Sequence, residues 1–139
     1  MNDKTALTDV FGEVIFSHSR AQALEDGVLV DVTAAAREAG FRWPVAMTRA
    51  AWEDCVAWSE DDSRCQVHQD EAGRLWDALW MAFCASRTAP ADDAHIVYSL
   101  YRVPRDGKSV APALVRLKVV AGPGDDGEPV ITLLLPQED

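Results

Sequence analysis

From Asp70 to Arg87 the chain reads DEAGRLWDALWMAFCASR, with Leu75, Trp76, Leu79, Trp80 and Phe83 at i, i+1, i+4, i+5 and i+8. That spacing lines large side chains along one stripe of an α-helix. Two tryptophans on the stripe predict the main core helix, because apolar surface leaving water contributes roughly 25 cal/mol per Å². The helix starts between Ser63 and Asp70, and Gly73 in its first turns costs about 1 kcal/mol relative to alanine unless close packing requires it.

Upstream the pattern is shorter and more broken. Met1 to Thr8 carries too little pattern to order by itself. Val14 to Phe16 predicts a short strand, and Ser17 or Ser19 can cap a short helix that stops at Gly27. Val28 to Val32 is rich in β-branched residues and predicts a strand. Asp31 or Thr33 can cap TAAAREAG, a helix with Gly40 as its C′ residue. Phe41 to Val45 is extended, since Pro44 biases Trp43 away from the α region. Thr48 opens a longer helix, TRAAWEDCVAWSE, with Ala51, Trp52, Cys55, Val56 and Trp58 inward and Glu53 and Asp54 toward water. Ser59 to Ser63 is a charged connector.

The last third changes period. Ile96 to Val103, Leu114 to Val120 and Val130 to Leu135 are strands separated by PRDGKSVAP and AGPGDDGE, both dense in turn residues. The expected fold is therefore α+β. It has an antiparallel sheet of three to four strands, mainly a C-terminal meander, packed against two longer helices and short N-terminal helices. The Val28 to Val32 strand is expected to join that sheet.

Length and composition fit a single domain over residues 1 to 139. Hydrophobic residues make up 48% and charged residues 26%, the balance of a chain able to bury a core. No apolar run approaches the ~20 residues of a membrane-spanning helix, and MNDKTALTDV lacks the pattern of a secretory leader, which predicts a cytoplasmic protein. Three cysteines without CxxC spacing fit reduced thiols.

Charge sharpens this picture. Net charge is −10, a field that disfavours direct nucleic-acid binding and favours basic protein surfaces. Glu53 to Asp77 holds eight acidic residues against Arg64 and Arg74, whereas Tyr101 to Lys118 holds five basic residues against Asp106. One region is acidic and the other basic.

Candidate chemistry is sparse. Cys65-x-x-His68 has a spacing zinc can use, but Cys55 and Cys84 fall at apolar helical positions where cysteine behaves as a small hydrophobe. No metal or cofactor is expected. The carboxylates around Glu60 lack the EF-hand alternation, and charge at a helix end is usually just solvated. His18 and Arg20, next to a short strand, could hold a dinucleotide as in ADP-ribosyl-transferring folds, but the partner motifs of those folds are missing. There is no G-x-G-x-x-G, P-loop or G-x-S-x-G.

The segments SRAQALEDGVLVDVTAAAREAGFRWPVAMTRAAWEDCVAW, QDEAGRLWDALWMAF, VPRDGK and VVAGPGDDGEPVITLLLP resemble a family of small proteins without assigned function. That family is carried on bacterial plasmids, integrative elements and other mobile DNA, and the likeness runs from Val10 to Asp139. It brings no catalytic residues. It implies an accessory factor that protects incoming DNA from restriction or CRISPR systems by binding a protein complex.

Charge and resemblance together predict a non-catalytic inhibitor of a host defence complex, of the type I anti-CRISPR or antirestriction kind. Its contacts are expected from Glu53, Asp54, Glu60, Asp61, Asp62, Asp125, Asp126 and Glu128, and its partner is a basic protein surface such as that of a CRISPR surveillance complex. The alternatives are a small enzyme acting on a nucleotide or protein through His18, Arg20 and one of the carboxylates, or a toxin-antitoxin partner.

Overall fold

Ser19, Thr48, Ser59 and Asp70 each hold an extended backbone, and each side chain accepts a hydrogen bond from the N–H three residues on. These N-caps satisfy donors that a helix start otherwise leaves unpaired. They open α1 (Arg20–Glu25), α3 (Arg49–Cys55), α4 (Glu60–Cys65) and α5 (Glu71–Thr88). A further helix, α2 (Thr33–Ala39), ends at Gly40 with a φ of 126°. The computed structural model describes residues 19–90 and 93–138. The expected Val14 to Phe16 strand, His18 and the Met1 to Thr8 segment lie outside them.

The strands are β1 (Leu29–Asp31), β2 (Val45–Thr48), β3 (His95–Arg102), β4 (Ala113–Pro123) and β5 (Pro129–Leu134). They form one mixed sheet in the order β1-β2-β5-β4-β3. The class is α+β, but the expected antiparallel sheet of three to four strands is corrected. β3, β4 and β5 do form an antiparallel meander, while β2 inserts beside β5 in parallel, Val45 opposite Ile131 and Met47 opposite Leu133. The Val28 to Val32 strand joins the sheet as β1, antiparallel to β2. The missed strand is only four residues long and its first three, Val45, Ala46 and Met47, are all buried, so it shows no polar alternation. Its cap residue, Thr48, also starts α3.

Two further expectations change. The helix expected from Thr48 to Glu60 ends at Cys55, where Trp52 O accepts from both Val56 N and Ala57 N. The supposed connector from Ser59 to Ser63 is the start of α4. There Ser59 Oγ accepts from Asp62 N at 3.1 Å and Asp62 Oδ2 accepts from Ser59 N at 2.8 Å, a reciprocal capping box.

The core lies between one face of the sheet and α2, α3 and α5, around Met47, Leu79, Leu117 and Leu133. On β3, Tyr98 and Leu100 point into it while Val97, Ser99 and Tyr101 point out. The Tyr98 hydroxyl donates to Ala78 O at 3.0 Å, tying β3 to α5. Helix α2 reaches α5 at Gly40, where a Cβ would sit 2.6 Å from the Phe83 ring, and Phe41 meets Phe83 edge to face. That contact requires glycine.

The inward face of α5 is not the expected tryptophan stripe. Arg74, Ala78, Leu79 and Ala82 are buried, whereas Trp76 and Trp80 stay 40% and 43% exposed. The alanines let the helix axis approach the sheet, and the indoles are left at its flank, stacked 5.8 Å apart. Helix α1 lies on the opposite sheet face, where Arg20 Nη1 donates to the side chain of Thr132.

Candidate partner-binding surface

The eight acidic residues singled out above fall into two groups. Glu53, Asp54, Glu60, Asp61 and Asp62 sit on α3 and α4, beside the β3–β4 loop. Asp125, Asp126 and Glu128 lie in the β4–β5 turn. The eleven residues of β4 separate the two, a span of roughly 35 Å at the usual strand rise. The fold does not join them into one patch.

Within the first group the basic segment supplies the partners. Arg102 Nη2 and Nε donate to Asp54 Oδ1 at 2.7 and 3.1 Å, and Nε also donates to Asp54 O. Arg105 Nε donates to Asp62 Oδ2 at 2.7 Å while its Nη1 donates to Glu53 Oε1 at 3.1 Å, so one guanidinium ties α3 to α4. Glu53 is shared with Arg49 at 3.6 Å. The Asp62 carboxyl is held below its ordinary range, first by the Ser59 N–H and then by the Ser59 hydroxyl and Arg105. Gln66, just after α4, donates to Pro104 O and Ser109 O, both at 2.7 Å, and locks the loop to the helix.

Glu60 and Asp61 behave differently. Among the described residues their ion pairs are with Arg64 of the same helix, and their side chains are 95% and 81% exposed, against 18% for Asp62. They stand outward on a braced turn.

In the second group Asp125 serves the fold. Its two carboxylate oxygens accept from Arg20 N at 2.7 Å and Ala21 N at 2.9 Å, joining the turn to the start of α1. These bonds, Ala21 first, lower its pKa. Glu128 Oε1 accepts from Asp126 N at 2.9 Å inside the turn. Asp126 is exposed.

Of the alternative pair, His18 lies outside the described residues. The Arg20 guanidinium donates to Thr132 Oγ1 and Ile131 O, both at 2.8 Å, so it is engaged on the sheet. Cys55 is buried, and that loss of water, with the charge of Asp54, pushes its thiol up to about 12; such a thiol is inert. Among the described residues no three His, Cys, Asp or Glu side chains gather as a metal site. No helix there is long and apolar enough to cross a membrane.

Two features went unforeseen. One is the buried Arg74, at i−4 from Ala78 and i−8 from Ala82 on the small-residue face of α5. The other is a groove of about 300 Å³ where Asp77, Trp80 and Met81 of α5 meet Tyr101 of β3 and Leu114 of β4. Alanines at i, i+4 beside the tryptophans are the sequence signal that could have shown which stripe turns inward.

A family model matches residues 6–139. The chain belongs to DUF6573, a family of unknown function. No curated protein and no solved structure matches it.

Proposed function

We propose that this DUF6573 protein is a non-catalytic binding protein, a mobile-element accessory factor that inhibits a host defence complex by docking on a basic protein surface. The observation that carries the reading is the first turn of α4. A capping box and the Arg105 bridge fix its backbone, while Glu60 and Asp61 project into solvent. Fixed charge loses less entropy on binding than charge on a mobile loop. With a net charge of −10, the protein is steered toward positive surfaces such as the nucleic-acid channels of CRISPR surveillance complexes.

Asp54, Asp62 and Asp125 anchor the fold, so the contacts of this surface come from Glu60 and Asp61, with Glu53 beside them. The mobile-element setting rests on the family resemblance. The enzymatic alternative draws less support, because the Arg20 guanidinium it calls on is bonded to the sheet.

The test is inhibition of a purified type I surveillance complex, with DNA binding as the readout. Inhibition is expected near one protein per complex. Glu60→Lys combined with Asp61→Lys should weaken it about tenfold, with circular dichroism unchanged. Asp62 is left in place because it closes the capping box. Full inhibition by the double variant removes the α4 turn from the mechanism, and inhibition far below one to one shows turnover instead.

A further inference from the structure

The sheet ends at β3, an eight-residue strand whose outer side pairs with no other strand among the described residues. Its sequence, HIVYSLYR, has no proline, lysine or carboxylate, and its one arginine, Arg102 at the strand's end, is drawn aside to Asp54, so the devices that normally blunt a sheet edge are missing along most of it. Every second residue therefore presents an N–H and a C=O outward. Along that edge runs the groove to α5, with Tyr101 68% exposed and Trp80 and Leu114 also open to solvent. Exposed apolar surface beside unpaired backbone groups is the arrangement that accepts an added strand.

Charge selects the occupant. Asp77 lines the groove with its side chain exposed; the charge of Arg74 acts on it, but the Arg74 guanidinium is buried and donates to Val56 O, Val103 O and Gln69 Oε1, which leaves the Asp77 carboxylate open to a cation from outside. Trp80 lies one helical turn away, stacked on Trp76. A carboxylate beside an indole face suits a lysine or arginine side chain. A second copy fits worse, since each chain carries −10 and full antiparallel overlap of two β3 strands sets His95 against Arg102.

We propose that the β3 edge and its groove dock an extended basic segment of a partner protein, added as a sixth strand with a cationic side chain on Asp77 and Trp80. This surface uses different residues from the α4 turn and can be tested without any host complex.

The probe is a blocked eight-residue peptide alternating arginine and valine, added to the full-length protein. Binding is followed by calorimetry and by amide hydrogen exchange. Exchange at alternate β3 amides should slow about tenfold on binding. Asp77→Asn, an exposed and fold-neutral change, should weaken the peptide about fivefold. Of two peptides N-methylated on alternate amides, one should lose binding and the other keep it. Binding that leaves β3 exchange unchanged, or that ignores both Asp77→Asn and the methylation pattern, overturns the proposal. So does a β3 edge already protected in the free protein, whether by a second copy, seen as a dimer in sedimentation, or by another part of the chain.

Discussion

Arg74 and Arg105 carry the same side chain in opposite settings. Arg74 is only 5% exposed, and uncharged acceptors surround it: Nε donates to Val56 O at 3.0 Å, and Nη1 to Val103 O at 3.0 Å and Gln69 Oε1 at 2.7 Å. Its guanidinium lies 4.6 Å from the centre of the Trp58 ring. Arg105 sits at the surface between two carboxylates. In a chain with 23 acidic residues, the most buried cation meets backbone carbonyls, and the acidic groups near α4 meet surface arginines. Much of the apparent charge separation along the sequence is thus cancelled within the fold, and what is left for a partner is narrower than the count of carboxylates suggests.

The contrast can be broken first at its buried end. Arg74→Ala leaves two interior carbonyls unpaired and opens space under Trp58, and should cost about 3 kcal/mol or more in urea unfolding. Arg102→Ala removes a partly buried pair with Asp54 and should cost about 1 to 2 kcal/mol by the same measurement. Arg105→Ala should cost less again, and its effect should shrink in about 1 M salt, whereas that of Arg74→Ala should not.

Acid separates the two settings further. Asp62 and Asp106 have folded pKa values below the 3.8 of an unperturbed carboxyl, and Ser109 and Lys108 bring Asp106 down to about 2. Their stabilisation is complete above the unfolded value and is lost as pH falls from about 4 through the folded values. Thermal midpoints should therefore drop across that window, and Asp106→Asn should flatten part of the drop. The bonds of Arg74 involve no titrating acceptor, so its contribution should persist. The smallest effect is expected for Glu60→Lys with Asp61→Lys, exposed changes that should leave the unfolding midpoint nearly unmoved.

The local grammar of the chain was largely readable. Gly40 ends α2, Thr48 opens α3, and the turn residues of PRDGKSVAP and AGPGDDGE separate the strands of the meander as their chemistry demands. Reading failed where two local signals competed. Trp76 and Trp80 offer far more apolar surface than Ala78 and Ala82, yet the alanines face inward because the close approach of α5 to β3 leaves no room for indoles. Ser59 followed by three acidic residues looks like a connector, and it is equally a helix start; the side chain of Asp62 at the third position decides it.

The acidic set was harder still. Carboxylates close in sequence do share a region, but the partners that anchor Asp62 and Asp54, Arg105 and Arg102, come from 43 and 48 residues away. Asp125 is more remote, capping a helix that begins 105 residues earlier.

By itself the sequence determined the elements with strong periodicity, the turns of the meander, the helix end at Gly40, and the excess negative charge, since these depend on neighbours within a few residues. The tertiary structure alone decided that β2 slips in parallel beside β5, which stripe of α5 is buried, and which carboxylates are anchored or displayed. Those outcomes depend on contacts between distant segments, whose geometry no local pattern encodes.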